Sequence, residues 1–322
     1  MTTTRPAVDP PLARRSRDEE EHYRDLLAGP GDERLPVLLV TGNCQAESLR
    51  LLLEADDVRA VRVPPLHDVR PHEVEPLRRW LARTDLLVAQ PVRGDYRGLP
   101  IGTEQQVAAL PSGATVALVP IIRYAGLHPW HLVMHPPGLV EPEPPVVAYH
   151  DVRLVARAAW ARSGRPAPPA LEPAPGAVLA VAAASVAELA RREAAAGAVV
   201  VSDLLARPRA DTVRTLNHPG NRLLEPVAAR LRAALGLDVR PPGVDRPLLT
   251  SVVAPLEAAV VAAHGLPDPP RPDWRVGGRD VGAAEVAAAQ LAWYAARPDV
   301  LDLALDRSAG VRATLGVLAP GD

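Results

Sequence analysis

Lysine and phenylalanine are both absent from this 322-residue chain, and cysteine occurs once. Without lysine, every basic side chain other than histidine is an arginine, so charged contacts to an anionic ligand fall to guanidinium groups. A single cysteine excludes an internal disulfide and points to a reducing cytoplasm. The missing phenylalanine together with 37 prolines reads as coding bias towards Ala, Arg, Pro and Val rather than adaptation. No long apolar run occurs: the uncharged, Ala-rich stretch 173–187 is short and contains proline, which argues against a membrane span. The first 35 residues are polar, with Arg14, Arg15 and Arg17 followed by acidic residues 18–21, and no apolar stretch of the secretory kind follows. No strong excess of charge exists either, since 36 basic side chains face 38 acidic ones. That balance excludes a general nucleic-acid binder while leaving room for a local arginine cluster. What remains is ordinary for a globular protein, 48% hydrophobic and 23% charged. The length suits one large α/β domain, alone or with a cap.

Residues 1–34 read as a mobile arm with a short helix near 18–28, and residues 35–322 as a single domain. Pro36-Val-Leu-Leu-Val-Thr41 is a short apolar run suited to a strand buried on both faces. Gly42-Asn43 breaks it, and Ala46, Leu49, Leu52 and Leu53 then recur at helical spacing. Strands are expected at 58–63, 85–89 and 114–120, with helices at 74–83 and 103–110 between them. Alternating strands and helices joined by short loops predict a parallel sheet flanked by helices. The second half is punctuated by proline clusters at 136–145, 166–175 and 267–272, which read as loops or stiff linkers. Additional helices are expected there at 151–162, 185–196, 221–235, 248–263 and 282–296, and short strands at 199–201 and 212–216.

Ligands of such sheets bind at the carboxyl ends of the strands, and three polar groups fall at such ends. In Gly42-Asn43-Cys44-Gln45 the cysteine stands at a helix N-terminus, where the dipole and free N–H groups lower a thiol pKa and could bind an oxyanion. A lone cysteine is more commonly a small buried hydrophobe; the polar neighbours Asn43 and Gln45 favour the nucleophile. In Gln90-Pro91-Val92-Arg93-Gly94-Asp95-Tyr96-Arg97, Gln90 could donate to an oxyanion. Arg93 and Arg97 could hold phosphates or simply decorate a solvated loop, and Arg123, after the fourth strand, is a third phosphate candidate. In Asn217-His218-Pro219-Gly220-Asn221, His218 is the candidate base for the thiol, with Asn217 or Asn221 orienting the ring or capping the helix. The same five residues also suit a plain turn.

Histidines also gather in His128-Pro129-Trp130-His131 and at His135. His131 and His135 have the spacing of one helical face, but flanking prolines and the lack of a carboxylate or second cysteine argue against a metal site. His128 is the reserve catalytic or ligand-binding histidine. His150-Asp151 is either a polar pair at the pocket rim or a helix start capped by Asp151.

Gly42-Asn43-Cys44-Gln45, Gln90-Pro91, Leu127-His128-Pro129, Tyr149-His150-Asp151 and Asn217-His218-Pro219, in this order, resemble the WcbI-type capsular polysaccharide biosynthesis acetyltransferases. The resemblance spans roughly residues 36–235. It implies a three-layer fold related to SGNH-type hydrolases and an acyltransferase that uses coenzyme A or acetyl-CoA as donor. By the same resemblance Cys44 is the nucleophile, Gln90 an oxyanion donor and His218 the base. From their places at the strand ends, Asn43, Gln45, Arg93, Arg97, Arg123 and His128 are the candidates for contacting the coenzyme. No Asp-x-x-His precedes His218, and Asp211 stands seven residues upstream, so a Cys–His dyad is expected rather than a triad. The expected reaction moves an acyl group, acetyl first, to a hydroxyl of a sugar or glycosylated intermediate in the cytoplasm. A thiol esterase or deacetylase shares the same site with water as acceptor. A non-catalytic coenzyme- or nucleotide-binding module is the reading from another class, and the single glycine of the first turn speaks against it.

Overall fold

The computed structural model describes residues 15–134, 143–169, 172–239 and 244–322. Two short helices come first, α1 (Arg17–His22) and α2 (Arg24–Ala28). Then follow β1 (Val37–Thr41), α3 (Cys44–Leu53), β2 (Arg59–Val61), α4 (Val74–Leu81), β3 (Leu86–Ala89), α5 (Thr103–Ala108) and β4 (Thr115–Leu118). The four strands form one parallel sheet in the order β2-β1-β3-β4. The apolar runs do not alternate with polar residues because both sheet faces are covered. Leu38, Val40, Leu86 and Val88 pack into one core cluster, whereas Val37, Leu39, Leu87 and Ala89 pack into another.

The chain continues with β5 (His131–Leu132), β6 (His150–Asp151), α6 (Val152–Arg162), α7 (Pro175–Ala196), β7 (Val213–Thr215), β8 (His218–Pro219) and α8 (Asn221–Ala234). It ends with β9 (Val252–Val253), α9 (Ala258–His264), β10 (Trp274–Val276), β11 (Arg279–Val281), α10 (Ala283–Ala296) and α11 (Pro298–Leu315). Helices α7 and α8 cover the β1 face that carries Leu38 and Val40, supplying Val178, Leu224, Val227 and Leu231. The pairs β5–β6 and β7–β8 are antiparallel ribbons, and β9, β10 and β11 form a small antiparallel sheet.

Several expectations need correction. The supposed arm is fixed to the body from residue 15 onward. The buried Arg15 guanidinium bonds to Glu73 and Asp68, and Leu26 is buried in the second core cluster. Part of the proline-rich stretch read as linker instead opens α7, with Pro175 in the first turn, where its missing N–H costs nothing. Residues 248–263 are not one helix: Pro255 interrupts them, the β-branched pair Val252–Val253 forms β9, and the helix begins at Ala258. Residues 199–201 make only one sheet-like bond, from the Val199 amide to the Leu118 carbonyl, before a 3-10 turn at Ser202–Leu205. Unforeseen were α11 and the β10–β11 hairpin. That hairpin turns on Gly277-Gly278, both at positive φ, the conformation a tight two-residue turn requires.

Candidate functional site

The strand order places β2 on one side of β1 and β3 on the other, so the chain reverses its direction of sheet growth between β1 and β3. Such a switch point leaves a crevice at the strands' carboxyl ends. Thr41-Gly42-Asn43-Cys44 and Ala89-Gln90 meet there. A Cβ on Gly42 would stand 2.4 Å from Gln90 Oε1 and 2.7 Å from its Cδ. Glycine is thus needed for the close approach of this side chain, beyond the turn it was expected to permit.

Asn43 caps α3, its side-chain oxygen accepting from the Gln45 amide at 2.9 Å. Gln90 Oε1 accepts from the Asn43 amide at 2.8 Å, and Gln90 Nε2 donates to Gln45 Oε1 at 3.0 Å. Gln45 Oε1 also accepts from the Ile122 amide, while Gln45 Nε2 donates to the carbonyls of Ile122 (2.7 Å) and Asn217 (2.8 Å). All four hydrogen-bonding capacities of the Gln45 carboxamide are therefore used inside the protein. Gln45, expected to touch a cofactor, instead ties the ends of β1, β3 and β4 to the β7–β8 turn. Through its bond to Asn217 it brings the segment carrying His218 to the start of the helix that begins with Cys44.

Cys44 is half-buried, and burial pushes its thiol above the usual value despite opposing hydrogen bonds from its own amide and that of Gln45. The expected lowering by the helix N-terminus is overridden by desolvation. His218 is also half-buried, and burial lowers its pKa; a hydrogen bond to the Val252 carbonyl opposes the shift and the Arg214 charge adds to it. Its Nδ1 is buried with no hydrogen-bond partner.

Tyr149 joins the two groups. Its ring meets His218 edge-on at 6.4 Å between centroids, and its hydroxyl donates to Asn217 Oδ1 at 2.8 Å and lies 2.9 Å from Thr215 Oγ1. Burial raises the phenol to about 12, and the charge that Cys44 would carry as a thiolate adds to that shift. Trp274 stacks on Tyr149 at 5.8 Å and on His131 at 4.8 Å, and His131 stacks on His128 at 5.7 Å. His128 is buried, with Nδ1 3.1 Å from the Pro255 carbonyl; burial takes its pKa down to about 3 and that of His131 to about 4. His128 is thus a buried member of the stack.

Of the expected phosphate ligands, Arg93 lines a cleft of about 240 Å³ with Gly42, Asn43, His67 and Tyr96. Arg97 lies exposed in the neighbouring loop at φ 54°, two residues after Asp95 at φ 50°. Arg123 is exposed beside α7, near Arg192, and neither residue lines this cleft. Asn221 neither caps α8 nor touches His218; it pins residues 246–248 through the Arg246 carbonyl and the Leu248 amide. His150 is buried against the Tyr294 hydroxyl at 2.6 Å, and Asp151 caps α6, so the helix-start alternative holds. Among the described residues no three ligand-type side chains gather as a metal site; His135 lies outside them.

A family model described as the polysaccharide biosynthesis enzyme WcbI matches residues 37–240. The chain belongs to the WcbI family of polysaccharide biosynthesis enzymes. A solved WcbI structure, described as a native protein without a disulfide bond between coenzyme A and one of its cysteines, superposes with a TM-score of 0.72 at 22% identity. The match covers 88% of this chain and 99% of that one, and it confirms the α/β architecture. Among curated proteins none is significantly similar in sequence. Among the described residues no helix is long and apolar enough to cross a membrane.

Sequence reasoning overlooked Thr215, His67 and Trp274 as parts of this site and gave Tyr149 no role. Tyr149 stood within the quoted Tyr-His-Asp motif. Trp274 and His67 sit in segments without any pattern that would single them out.

Proposed function

We propose that this WcbI-family enzyme transfers an acyl group, acetyl first, from coenzyme A to a hydroxyl of a polysaccharide precursor through Cys44. The observation that carries this reading is the bond from Gln45 Nε2 to the Asn217 carbonyl, which brings the neighbours of Cys44 and His218 together across the crevice. The coenzyme named with a cysteine for the related WcbI structure gives the donor class.

At rest the raised thiol and the lowered imidazole favour a neutral pair. As Cys44 Sγ forms its bond to the thioester carbon, its proton passes to His218 and the carbon–sulfur bond to the coenzyme breaks. The departing thiolate takes the proton from His218. The acceptor hydroxyl then gives a proton to His218 as its oxygen bonds to the acyl carbon, and Cys44 leaves, taking that proton back from His218. The Cys44 amide is the oxyanion donor. Gln90 acts through position, because its oxygen fixes the Asn43 amide and its nitrogen holds Gln45. Asn43 orients the helix start, and Arg93 at the cleft rim takes a phosphate of the donor.

Incubation with acetyl-CoA and no acceptor should add one acetyl group, seen by intact-protein mass spectrometry, mapped to the Cys44 peptide and removed by neutral hydroxylamine. Cys44→Ala should lose both adduct and transfer, and His218→Ala should slow turnover by roughly two to four orders of magnitude. A fully active Cys44→Ala enzyme refutes the covalent route. Release of free coenzyme A at the same rate with and without a sugar acceptor would make the enzyme a hydrolase.

A further inference from the structure

Two arginines beyond His218 have no carboxylate partner among the described residues. Arg214, in the middle of β7, is half-buried and donates from Nε to the Leu248 carbonyl at 2.8 Å. Arg271, also half-buried, donates from a terminal nitrogen to the Ala254 carbonyl at 2.7 Å, while its Nε is buried without a partner. The residue that anchors the Arg271 guanidinium also pairs with the Arg214 backbone, since the Ala254 amide donates to the Arg214 carbonyl at 2.7 Å. The nearby carboxylates are engaged elsewhere: Asp211 holds Arg222 at 2.8 Å, and Asp280 holds Arg275 at 2.8 Å. Burial weakens the hold of both guanidiniums on their protons; Arg275 and Arg214 weaken that of Arg271 further, and Asp211 and Asp280 offset these shifts only in part. Positive charge withdrawn from water and only partly compensated destabilises a fold unless an anion completes it.

We infer that Arg214 and Arg271 form an anion site that takes a phosphate monoester next to His218. A guanidinium pair with donors left over suits the several acceptor oxygens of a phosphate. Arg214 acts electrostatically on His218, and Arg271 on His128, so the bound group lies on the side of the site built by the second half of the chain. Such a monoester occurs as the 3′-phosphate of the donor, a source that rests on the acyl-transfer reading, or on a phosphorylated sugar acceptor.

Titration calorimetry with coenzyme A, 3′-dephospho-coenzyme A and a hexose 1-phosphate separates the sources. All titrations use the Cys44→Ala protein, which excludes thiol chemistry and turnover, so a failed acyl-transfer reading leaves the result interpretable. Arg214→Gln and Arg271→Gln keep an N–H for the backbone carbonyls, and circular dichroism with the melting temperature checks that each folds. Each should weaken the phosphate ligand about tenfold, and Arg271→Lys should restore most of the loss. Weakened coenzyme A with unchanged dephospho-coenzyme A assigns the site to the donor; weakened hexose phosphate alone assigns it to the acceptor. Unchanged affinities in both glutamine variants, a Lys variant as weak as Gln, or no binding of any of the three ligands by the parent protein overturns the site.

Discussion

Lowering the pH from 7.5 to 5 should destabilise this protein well before its carboxylates titrate. The cause is the stack of His128 and His131, which burial holds neutral down to about pH 3 and about pH 4. Each has a reference pKa of 6.5 when exposed in the unfolded chain. Below pH 6.5 the unfolded state therefore binds protons that the folded state refuses, so stability falls as pH falls. Each such histidine contributes a slope of about 1.4 kcal/mol per pH unit, or about 2 kcal/mol by pH 5, giving about 4 kcal/mol for the pair. The loss levels off for each ring only as pH reaches its folded value. Urea unfolding followed by circular dichroism at pH 7.5, 6 and 5 measures the slope. His131→Phe keeps a flat ring between His128 and Trp274 but cannot titrate, so it should remove about half of what the pair contributes, about 2 kcal/mol at pH 5. A wild-type midpoint unchanged between pH 7.5 and 5, or a His131→Phe protein with the full slope, refutes the reasoning.

Gly42→Ala places a methyl group 2.4 Å from Gln90 Oε1; it should displace Gln90 and the Asn43–Cys44 backbone, lowering turnover at least tenfold with little loss of helix content. Normal kinetics for that variant would remove Gln90 from the site's support. Arg15→Met leaves the buried Glu73 without its guanidinium partner and should cost about 3 kcal/mol in urea unfolding; an unchanged midpoint would mean residues 15–28 do not dock in solution. Cys44 is the only thiol, so iodoacetamide reports it alone, and its rate should keep rising through pH 9 because burial raises the thiol. A plateau below pH 8 would show a thiolate already formed near neutrality.

The parallel sheet was legible because both-face burial writes strands as unbroken apolar runs, as in residues 37–41 and 86–89. The candidate nucleophile was legible because a glycine, a cap and a cysteine follow the first strand in order. The second half was harder for a physical reason. Ala-rich helices such as α10 show weak sidedness, and ribbons whose strands have two or three residues, β5–β6 and β7–β8, are too short for any periodicity to register. The Gly277-Gly278 turn carried a usable signal, since paired glycines between Trp274-Arg-Val and Arg279-Asp-Val favour a hairpin. Gln45 misled because a carboxamide beside a candidate nucleophile can face ligand or brace the backbone equally well. Only the positions of Ile122 and Asn217, 77 and 172 residues away from Gln45 in sequence, decide for bracing.

The same competition explains how the site can hold its chemistry in reserve. A helix N-terminus favours a nearby negative charge by about 0.3–1 kcal/mol at exposed positions. Removing a thiolate from water opposes that gain, and at Cys44 the removal is the larger effect. Burial acts on His218 in the opposite chemical sense, disfavouring imidazolium. Both shifts therefore favour the same ground state, a neutral thiol and a neutral imidazole, over a standing ion pair. In the proposed acyl transfer the charged partners would become favourable only as the thioester carbonyl develops negative charge at the Cys44 amide. On that proposal attack is coupled to the arrival of an acyl donor, and a thiol kept protonated between turnovers is a poor target for the oxidants that attack thiolates.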